Sequence, residues 1–292
     1  MAGTYAIRGQ TFTGPDLPAA LYVAATPIGN LGDVTLRLLD ALAACDVIAC
    51  EDTRVTSKLL NHYAIRNKTV AYHEHNAEKA GPALIADIAS GKSVVLVSDA
   101  GTPLVSDPGF RLVRQAREQG IDVVSLPGAS AALAALVASG LPSETWLFCG
   151  FLSNKKSARM KSLEGYRNRS ETLIFYESPN RLLQALEDMV ETFGETCKAC
   201  VARELTKMHE EITLSTLGEL ITNYAGKPVR GEIVILVSPS PHAGNLNPRQ
   251  LLIELLAEQP VSRAATQAAE LTGLPKRDLY QLALELKDGN GE

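Results

Sequence analysis

The residues with the clearest chemical potential follow a short apolar run in the first half of the chain. Val94 to Val97 predict a buried strand of the parallel kind, after which the chain continues as SDAGTPLVSDPG. Asp99 offers a carboxylate there, and Gly101 and Pro103 fix a sharp, non-helical path between small residues. Ligands of open α/β sheets bind beyond the carboxyl ends of the strands. We therefore expect a ligand site here; the alternative is an ordinary turn between a strand and a helix.

The elements around this stretch predict two α/β domains with mostly parallel sheets. A strand at LYVAA (21–25), a helix from Thr35 to Ala44 and a strand at DVIACED (46–52) form one βαβ unit. The chain has 292 residues, 46% of them hydrophobic, which is enough for two cores. The expected division is a flexible N-terminal tail (1–19), a first domain (20–143), a second domain (144–240), and a linker with a helix–turn–helix appendage (241–292).

Several other site types are disfavoured by spacing. Gly29 and Gly32 supply only G-x-x-G, which is incomplete as a dinucleotide fingerprint. Cys197 and Cys200 have no second CxxC or HxxxH pair to complete a zinc site, so we expect no metal. The chain has no run of about 18 apolar residues and no signal-peptide pattern at its start, so we expect no membrane association and a cytoplasmic location.

A basic segment lies near the start of the second domain. The formal net charge of the chain is −5, but binding to nucleic acid depends on local patches rather than on the total. The segment is interpreted either as an RNA-binding surface that contacts phosphates or as an ordinary solvated helix face. The RNA-binding candidates are Lys155, Lys156, Arg159 and Lys161.

Seven motifs, taken together and in order, resemble the ribosomal RNA small subunit methyltransferase I family, a branch of the tetrapyrrole methylase superfamily. The resemblance covers residues 20–239, and the terminal helices resemble the C-terminal extension of that family. Ala129 stands where a second proline is expected, and residues 1–19 have no counterpart. The motifs are TPIGNLGD (26–33), EDTR (51–54), SDAGTPLVSDPG (98–109), LPGASA (126–131), FYESP (175–179) with Arg181, RELTK (203–207) and RGEIVI (230–235).

The resemblance implies a two-domain tetrapyrrole-methylase-like fold that binds S-adenosylmethionine in a cleft between the domains. It also implies a homodimer that methylates a cytidine 2′-hydroxyl in the decoding region of 16S rRNA, with the rRNA or the small ribosomal subunit as partner. The cofactor residues implied by position are Pro27, Asp99, Gly101, Thr102, Ser130 and Ala131 in the first domain, and Tyr176, Leu205 and Gly231 around the adenine.

Methyl transfer to a ribose hydroxyl needs alignment of the reactants and help in removing the proton. We expect Lys207 and Glu204 to act near the hydroxyl and its phosphate, and Glu177 to orient them; the alternative for each is a surface ion pair. Two other functions stay open. One is a related methyltransferase acting on a small molecule such as a tetrapyrrole, and the other is a non-enzymatic regulator that binds nucleic acid.

Overall fold

The computed structural model describes residues 3–238, 248–272 and 274–288. It divides into two compact units. Unit 1 comprises Met1–Ala134 and Glu204–Glu210, and unit 2 comprises Ala135–Arg203 and Glu211–Glu292. The segment Glu204–Glu210 therefore groups with the first unit, although we expected it in the second domain.

Unit 1 is built on a parallel sheet of five strands. The strands are β3 (Leu21–Ala24), β4 (Val47–Cys50), β5 (Thr69–Ala71), β6 (Val94–Val97) and β7 (Val123–Leu126). Their order is β5-β4-β6-β3-β7, and every pairing is parallel. β6 is fully buried at the centre, which confirms the prediction from its apolar run. Four helices follow strands in this unit: α1 (Leu36–Ala44), α2 (Thr53–His62), α3 (Ala77–Ala89) and α4 (Phe110–Glu118).

Helix α1 begins and packs as its sequence predicts. The Thr35 hydroxyl accepts a hydrogen bond from the Leu38 amide at 3.2 Å and so caps the first turn. Leu38, Leu39 and Leu42 recur at helical spacing and are fully buried in one core cluster. A second cluster includes Leu21, Val47 and Leu96, so apolar side chains cover both faces of the parallel sheet.

The N-terminal segment 1–19, expected to be a flexible tail, instead contains a β-hairpin. β1 (Thr4–Ile7) pairs antiparallel with β2 (Gln10–Thr13). Tyr5 is buried, stacks on Phe12, and donates a hydrogen bond to Asp40 of α1 at 2.9 Å. The expectation was wrong because these short strands are anchored by contacts with a helix that lies about 35 residues further along the chain.

Unit 2 contains a mixed sheet with the order β11-β10-β12-β9-β8. Only β8 and β9 pair in parallel, and the other three pairings are antiparallel. The expectation of mostly parallel sheets therefore holds for unit 1 and is wrong for unit 2. One reason is local: the seven residues 204–210 between β10 and β11 are too few for a parallel crossover. The strands are β8 (Trp146–Phe151), β9 (Thr172–Glu177), β10 (Lys198–Arg203), β11 (Glu211–Thr216) and β12 (Ile233–Val237).

Helices pack against this sheet and also complete the C-terminal part of the chain. α6 (Lys156–Glu164), α7 (Leu182–Phe193) and α8 (Leu217–Tyr224) follow strands of unit 2, and α5 (Ala131–Ser139) runs across the division between the units. The terminal helices share a small core that includes Leu252, Ala264, Ala268 and Leu279. They are α9 (Pro248–Glu258), α10 (Val261–Thr272) and α11 (Lys276–Asp288), and most of the linker expected before them lies outside the described residues.

Among the residues that the structure describes, no helix combines the length and the apolar character needed to span a bilayer.

Candidate functional site

Three loops meet at the carboxyl ends of neighbouring strands in unit 1. Because β3 lies between β6 and β7 in a parallel sheet, the loops that follow these strands leave from the same edge. Thr26 and Gly101 exchange two backbone hydrogen bonds of 2.8 and 3.0 Å, and Thr102 Oγ1 donates one to the Ala129 carbonyl at 3.2 Å. The structure thus brings together the loops that carry the first group of expected cofactor residues: Pro27, Asp99, Gly101, Thr102, Ser130 and Ala131.

The loop 98–109 has an unusually constrained backbone. Gly101 and Gly109 have φ angles of +78° and +135°, and Leu104 and Ser106 also have positive φ. A side chain at Gly109 would place its Cβ 2.8 Å from Leu104 Cδ1, so this glycine provides space as well as conformation. Positive φ at non-glycine residues is strained and concentrates at ligand sites. This loop is therefore held in a costly conformation at the edge where a ligand is expected.

Carboxylates gather beside the same loop. Asp99 Oδ1 accepts a hydrogen bond from the Asp52 amide at 3.0 Å. Burial raises the pKa of Asp107 to about 6, with Glu51 and then Asp99 adding to the shift. Burial also raises the pKa of Glu51, and Asp99 again adds to it. The group gives this edge a negative potential that suits a cationic ligand, such as one with a sulfonium and an ammonium group.

The segment Glu204–Glu210 holds the expected lysine and glutamate as an ion pair. Lys207 Nζ lies 2.7 Å from Glu204 Oε1, and both side chains are partly exposed. The segment contacts the loop after β3, because the Asn30 amide donates to Thr206 Oγ1 at 3.1 Å. Glu204 and Thr206 have φ angles of +52° and +64°. Two strained residues thus flank Leu205, which is buried.

Glu177 closes β9 in unit 2 and is almost completely buried. Its Oε1 forms an ion pair with Arg181 Nη2 at 2.5 Å and accepts a hydrogen bond from the Ser178 amide at 2.7 Å. Its Oε2 is buried and has no hydrogen-bond partner among the described residues. The residue that Glu177 orients within unit 2 is therefore Arg181, and its expected effect on Glu204 and Lys207 stays a prediction.

Arg181 follows the FYESP motif by two residues, and no role is predicted for it from the sequence. Its guanidinium donates to the Leu152 carbonyl at 3.3 Å and to Asn154 Oδ1, and its Nε donates to Ser178 Oγ at 3.1 Å. Arg181 therefore ties the loop after β8 to the end of β9. The signal that could have found it is its position four residues after Glu177, at a spacing that allows an ion pair.

The basic segment divides into surface and interior residues. Arg159 is only 1% exposed, and its Nε donates to Asp188 at 2.5 Å while Nη1 donates to the Ser153 carbonyl. The structure thus contradicts Arg159 as an RNA contact, because its side chain is committed to the core. Lys156 is exposed and lies 3.5 Å from Asp188. Lys155 and Lys161 are also exposed and remain candidates.

Two further expected cofactor residues lie in unit 2. Tyr176, next to Glu177 on β9, is half-buried and makes edge-on contacts with Phe148 and Phe151 at 4.9 and 5.6 Å between ring centroids. Gly231, just before β12, has a φ angle of +91°, which a side chain would disfavour. Both positions have properties that suit an adenine site, because Tyr176 offers an aromatic ring and Gly231 lets a ligand approach the backbone closely.

Two family models match the sequence. "Tetrapyrrole (Corrin/Porphyrin) Methylases" matches residues 20–221, and "RsmI C-terminal HTH domain" matches residues 244–287. The second match agrees with the expected helix–turn–helix appendage. Together they span most of the chain.

Curated relatives are similar over nearly their whole length. "Ribosomal RNA small subunit methyltransferase I" of Mesorhizobium japonicum is 54% identical, covering 94% of this chain and 95% of the relative. The protein of the same name from Haemophilus influenzae is 46% identical, covering 92% and 98%.

Solved structures share the fold at low identity. Diphthine synthase aligns with a TM-score of 0.58 at 15% identity, covering 90% of this chain and 98% of that one. Uroporphyrin-III C-methyltransferase from Thermus thermophilus, complexed with S-adenyl homocysteine, aligns with a TM-score of 0.51 at 20% identity, covering 74% and 95%. These likenesses confirm the fold class. With the family match and the full-length relatives, they lead to one conclusion: the chain belongs to the ribosomal RNA small subunit methyltransferase I family of the tetrapyrrole methylase superfamily.

Proposed function

We propose that this protein transfers a methyl group from S-adenosylmethionine to the 2′-hydroxyl of a cytidine in the decoding region of 16S rRNA. The observation that carries the proposal is the similarity, over nearly the full length, to curated relatives named for methylation of small-subunit rRNA. The nucleotide and its hydroxyl follow from the motifs that resemble the same family. A cytoplasmic location and a homodimeric state belong to the same proposal.

The cofactor is proposed to bind at the strand-tip loops of unit 1. The structural support is the strained loop 98–109, the two hydrogen bonds between Thr26 and Gly101, and the carboxylates around Asp99. The neighbour solved with S-adenyl homocysteine has the same fold. S-adenosylmethionine supplies an electrophilic methyl group on a positively charged sulfur. The proposed cofactor residues are Pro27, Asp99, Gly101, Thr102, Ser130 and Ala131, with Tyr176, Leu205 and Gly231 at the adenine.

Lys207 and Glu204 are the proposed catalytic residues. A ribose hydroxyl is a weak nucleophile, and it reacts faster when a base accepts its proton or a cation stabilises the developing oxyanion. The pair offers both groups, because the Glu204 carboxylate and the Lys207 ammonium lie 2.7 Å apart. Lys207 also carries the charge that would hold a neighbouring phosphate. Glu177 is proposed to orient these two groups; within unit 2 its carboxylate pairs with Arg181 at 2.5 Å.

The RNA is proposed to contact the exposed part of the basic segment. Lys155, Lys156 and Lys161 are exposed on or beside α6, although Lys156 also pairs with Glu191 at 3.4 Å. Lys155 and Lys161 are therefore the side chains best placed to contact phosphates, and Arg159 is excluded by its burial.

The proposal is tested with labelled cofactor and RNA from a strain that lacks the activity. The protein is incubated with intact small subunits, with naked 16S rRNA and with uroporphyrinogen III, and the modified nucleotide is mapped by its resistance to alkaline cleavage. We expect label in one cytidine of the rRNA, and the comparison of subunit with naked rRNA shows which form is the substrate. Label on the base, or on the tetrapyrrole alone, would contradict the proposal.

A further inference from the structure

Gly29 lies against the proposed catalytic lysine within unit 1. A side chain at this position would place its Cβ 2.5 Å from Lys207 Cγ and 3.0 Å from Lys207 Cε. Carbon atoms in favourable contact are about 3.5–4.0 Å apart. The aliphatic stem of Lys207 therefore occupies the space that any residue larger than glycine would need.

The need for glycine here comes from space and not from backbone conformation. Gly29 is not among the glycines with positive φ, so its φ angle does not by itself require glycine. Gly32, in the same loop, differs in its surroundings: a Cβ there would meet only the side chain of Asn30, with Oδ1 at 3.1 Å. The two glycines provide a matched pair, because only one of them contacts Lys207.

Both ends of the lysine side chain are constrained. Its ammonium pairs with Glu204 at 2.7 Å, and its stem lies along Gly29. The backbone of the segment is fixed in turn, because the Lys207 amide donates to the Glu204 carbonyl at 3.0 Å and Thr206 Oγ1 accepts from the Asn30 amide. Ordering a long side chain costs conformational entropy, and contacts at both ends of the Lys207 side chain restrict its conformations.

We infer that Gly29 is a positioning residue for methyl transfer: because it has no side chain, the stem of Lys207 can lie against it while the ammonium pairs with Glu204. The inference rests on the role proposed for Lys207. Gly29 of the TPIGNLGD motif thereby has a role, although the glycine spacing of this motif is incomplete as a dinucleotide fingerprint.

The test compares Gly29→Ala with Gly32→Ala in single-turnover methylation of small subunits. We expect Gly29→Ala to lower the rate about tenfold, since small displacements of catalytic groups are costly, and Gly32→Ala to leave it near wild type. In a Lys207→Ala background the Cγ and Cε atoms are absent, so Gly29→Ala should cause a smaller loss, limited to the contact of the added Cβ with the Leu205 carbonyl at 3.0 Å. The inference is overturned if Gly29→Ala lowers the methylation rate equally in both backgrounds. It is also overturned if Gly29→Ala does not lower the rate of the protein that retains Lys207.

A second measurement does not depend on the reaction. A short pulse of acetylating reagent, quantified by peptide mass spectrometry, reports the accessibility of the Lys207 amine. We expect faster labelling of Lys207 in Gly29→Ala than in Gly32→Ala, and unchanged labelling overturns the inference. If Lys207→Ala alone retains full turnover, the catalytic role in the proposed function fails, whereas the labelling result still decides whether Gly29 holds the side chain.

Discussion

Two polar segments of this fold place their charged side chains in different surroundings. The segment Glu204–Glu210 keeps Lys207 and Glu204 partly exposed on a strained loop. The segment from Ser153 to Lys161 sends its central cation, Arg159, into the core, where it pairs with Asp188. The comparison teaches that charge alone does not mark a site. In Glu204–Glu210 the backbone is strained, with positive φ at Glu204 and Thr206, and the charged side chains stay partly exposed. In the second segment the charged side chain of Arg159 is itself buried, which is costly unless it is paired.

The largest effect is expected on the strained segment. Lys207→Ala should lower the rate of methyl transfer by about two to four orders of magnitude, the usual contribution of an acid–base group, with cofactor affinity near wild type. Single-turnover kinetics and cofactor titration measure the two separately. Met208→Ala is the control, because that side chain is 93% exposed on the same segment. Full activity of Lys207→Ala would mean that the Lys207–Glu204 ion pair has no catalytic role, and the functional difference between the two segments would then disappear.

The next effect is on stability and concerns Arg159. Arg159→Met should destabilise the protein by about 3 kcal/mol, because it leaves Asp188 buried with only Lys156 at 3.5 Å. Thermal unfolding measures this change. Lys161→Met, on the exposed side of the same helix, should leave the melting temperature almost unchanged. If Arg159→Met folds normally but loses RNA binding, Arg159 contacts RNA as the sequence predicted, and its structural role is contradicted.

A third test sharpens the comparison with Asp107, a half-buried carboxylate whose charged neighbours are the carboxylates of Glu51 and Asp99. The pKa of Asp107 is raised to about 6, from 3.8, by burial and by Glu51. The native state therefore binds this proton more tightly than the unfolded state, and the stability that it contributes is lost as the pH rises through about 6.

Asp107→Asn cannot ionise, so it should be more stable than wild type above pH 6 by about 1 kcal/mol, a value reduced for solvent screening, and equal to it near pH 3.8. Chemical denaturation at pH 4 and pH 8 measures the difference. A gain of the same size at both pH values would mean that repulsion among the carboxylates is not its source.

The smallest effect is expected for the exposed lysines. Replacing Lys155 and Lys161 by Ala should weaken RNA binding and reduce the slope of log K against log salt by about 1–2, since each phosphate contact contributes about 0.7–0.9. Binding titrations at several salt concentrations measure the slope. An unchanged slope would assign the whole segment to packing and solvation, and the contrast with Glu204–Glu210 would then be complete.

The parts of the fold that sequence predicts are those whose signal is local. Thr35 and the leucines after it define α1, and the apolar run before Ser98 defines β6 and the loop beyond it. The N-terminal hairpin and β11 were missed because their short strands contain polar residues, and only pairing with partners makes them strands.

The site shows the same limit. The residues of loop 98–109 and the Lys207–Glu204 pair could be predicted because each lies within one motif. The burial of Arg159 depends on a carboxylate 29 residues away. The packing of Lys207 on Gly29 joins positions that are 178 residues apart, and no pattern in either motif carries that information.

The N-terminal hairpin has a consequence for the order in which the chain folds. Tyr5 meets Asp40 within the first forty-four residues, together with all of α1. These elements can associate as the polypeptide leaves the ribosome, because domains fold progressively from their N-terminal side during synthesis. The parallel sheet must wait for β6 and β7, whose last residues are Val97 and Leu126. We therefore expect the hairpin to shield part of the apolar side of the nascent helix during this interval, because Val95, Val97 and Leu126, which belong to the same core, have not yet been made.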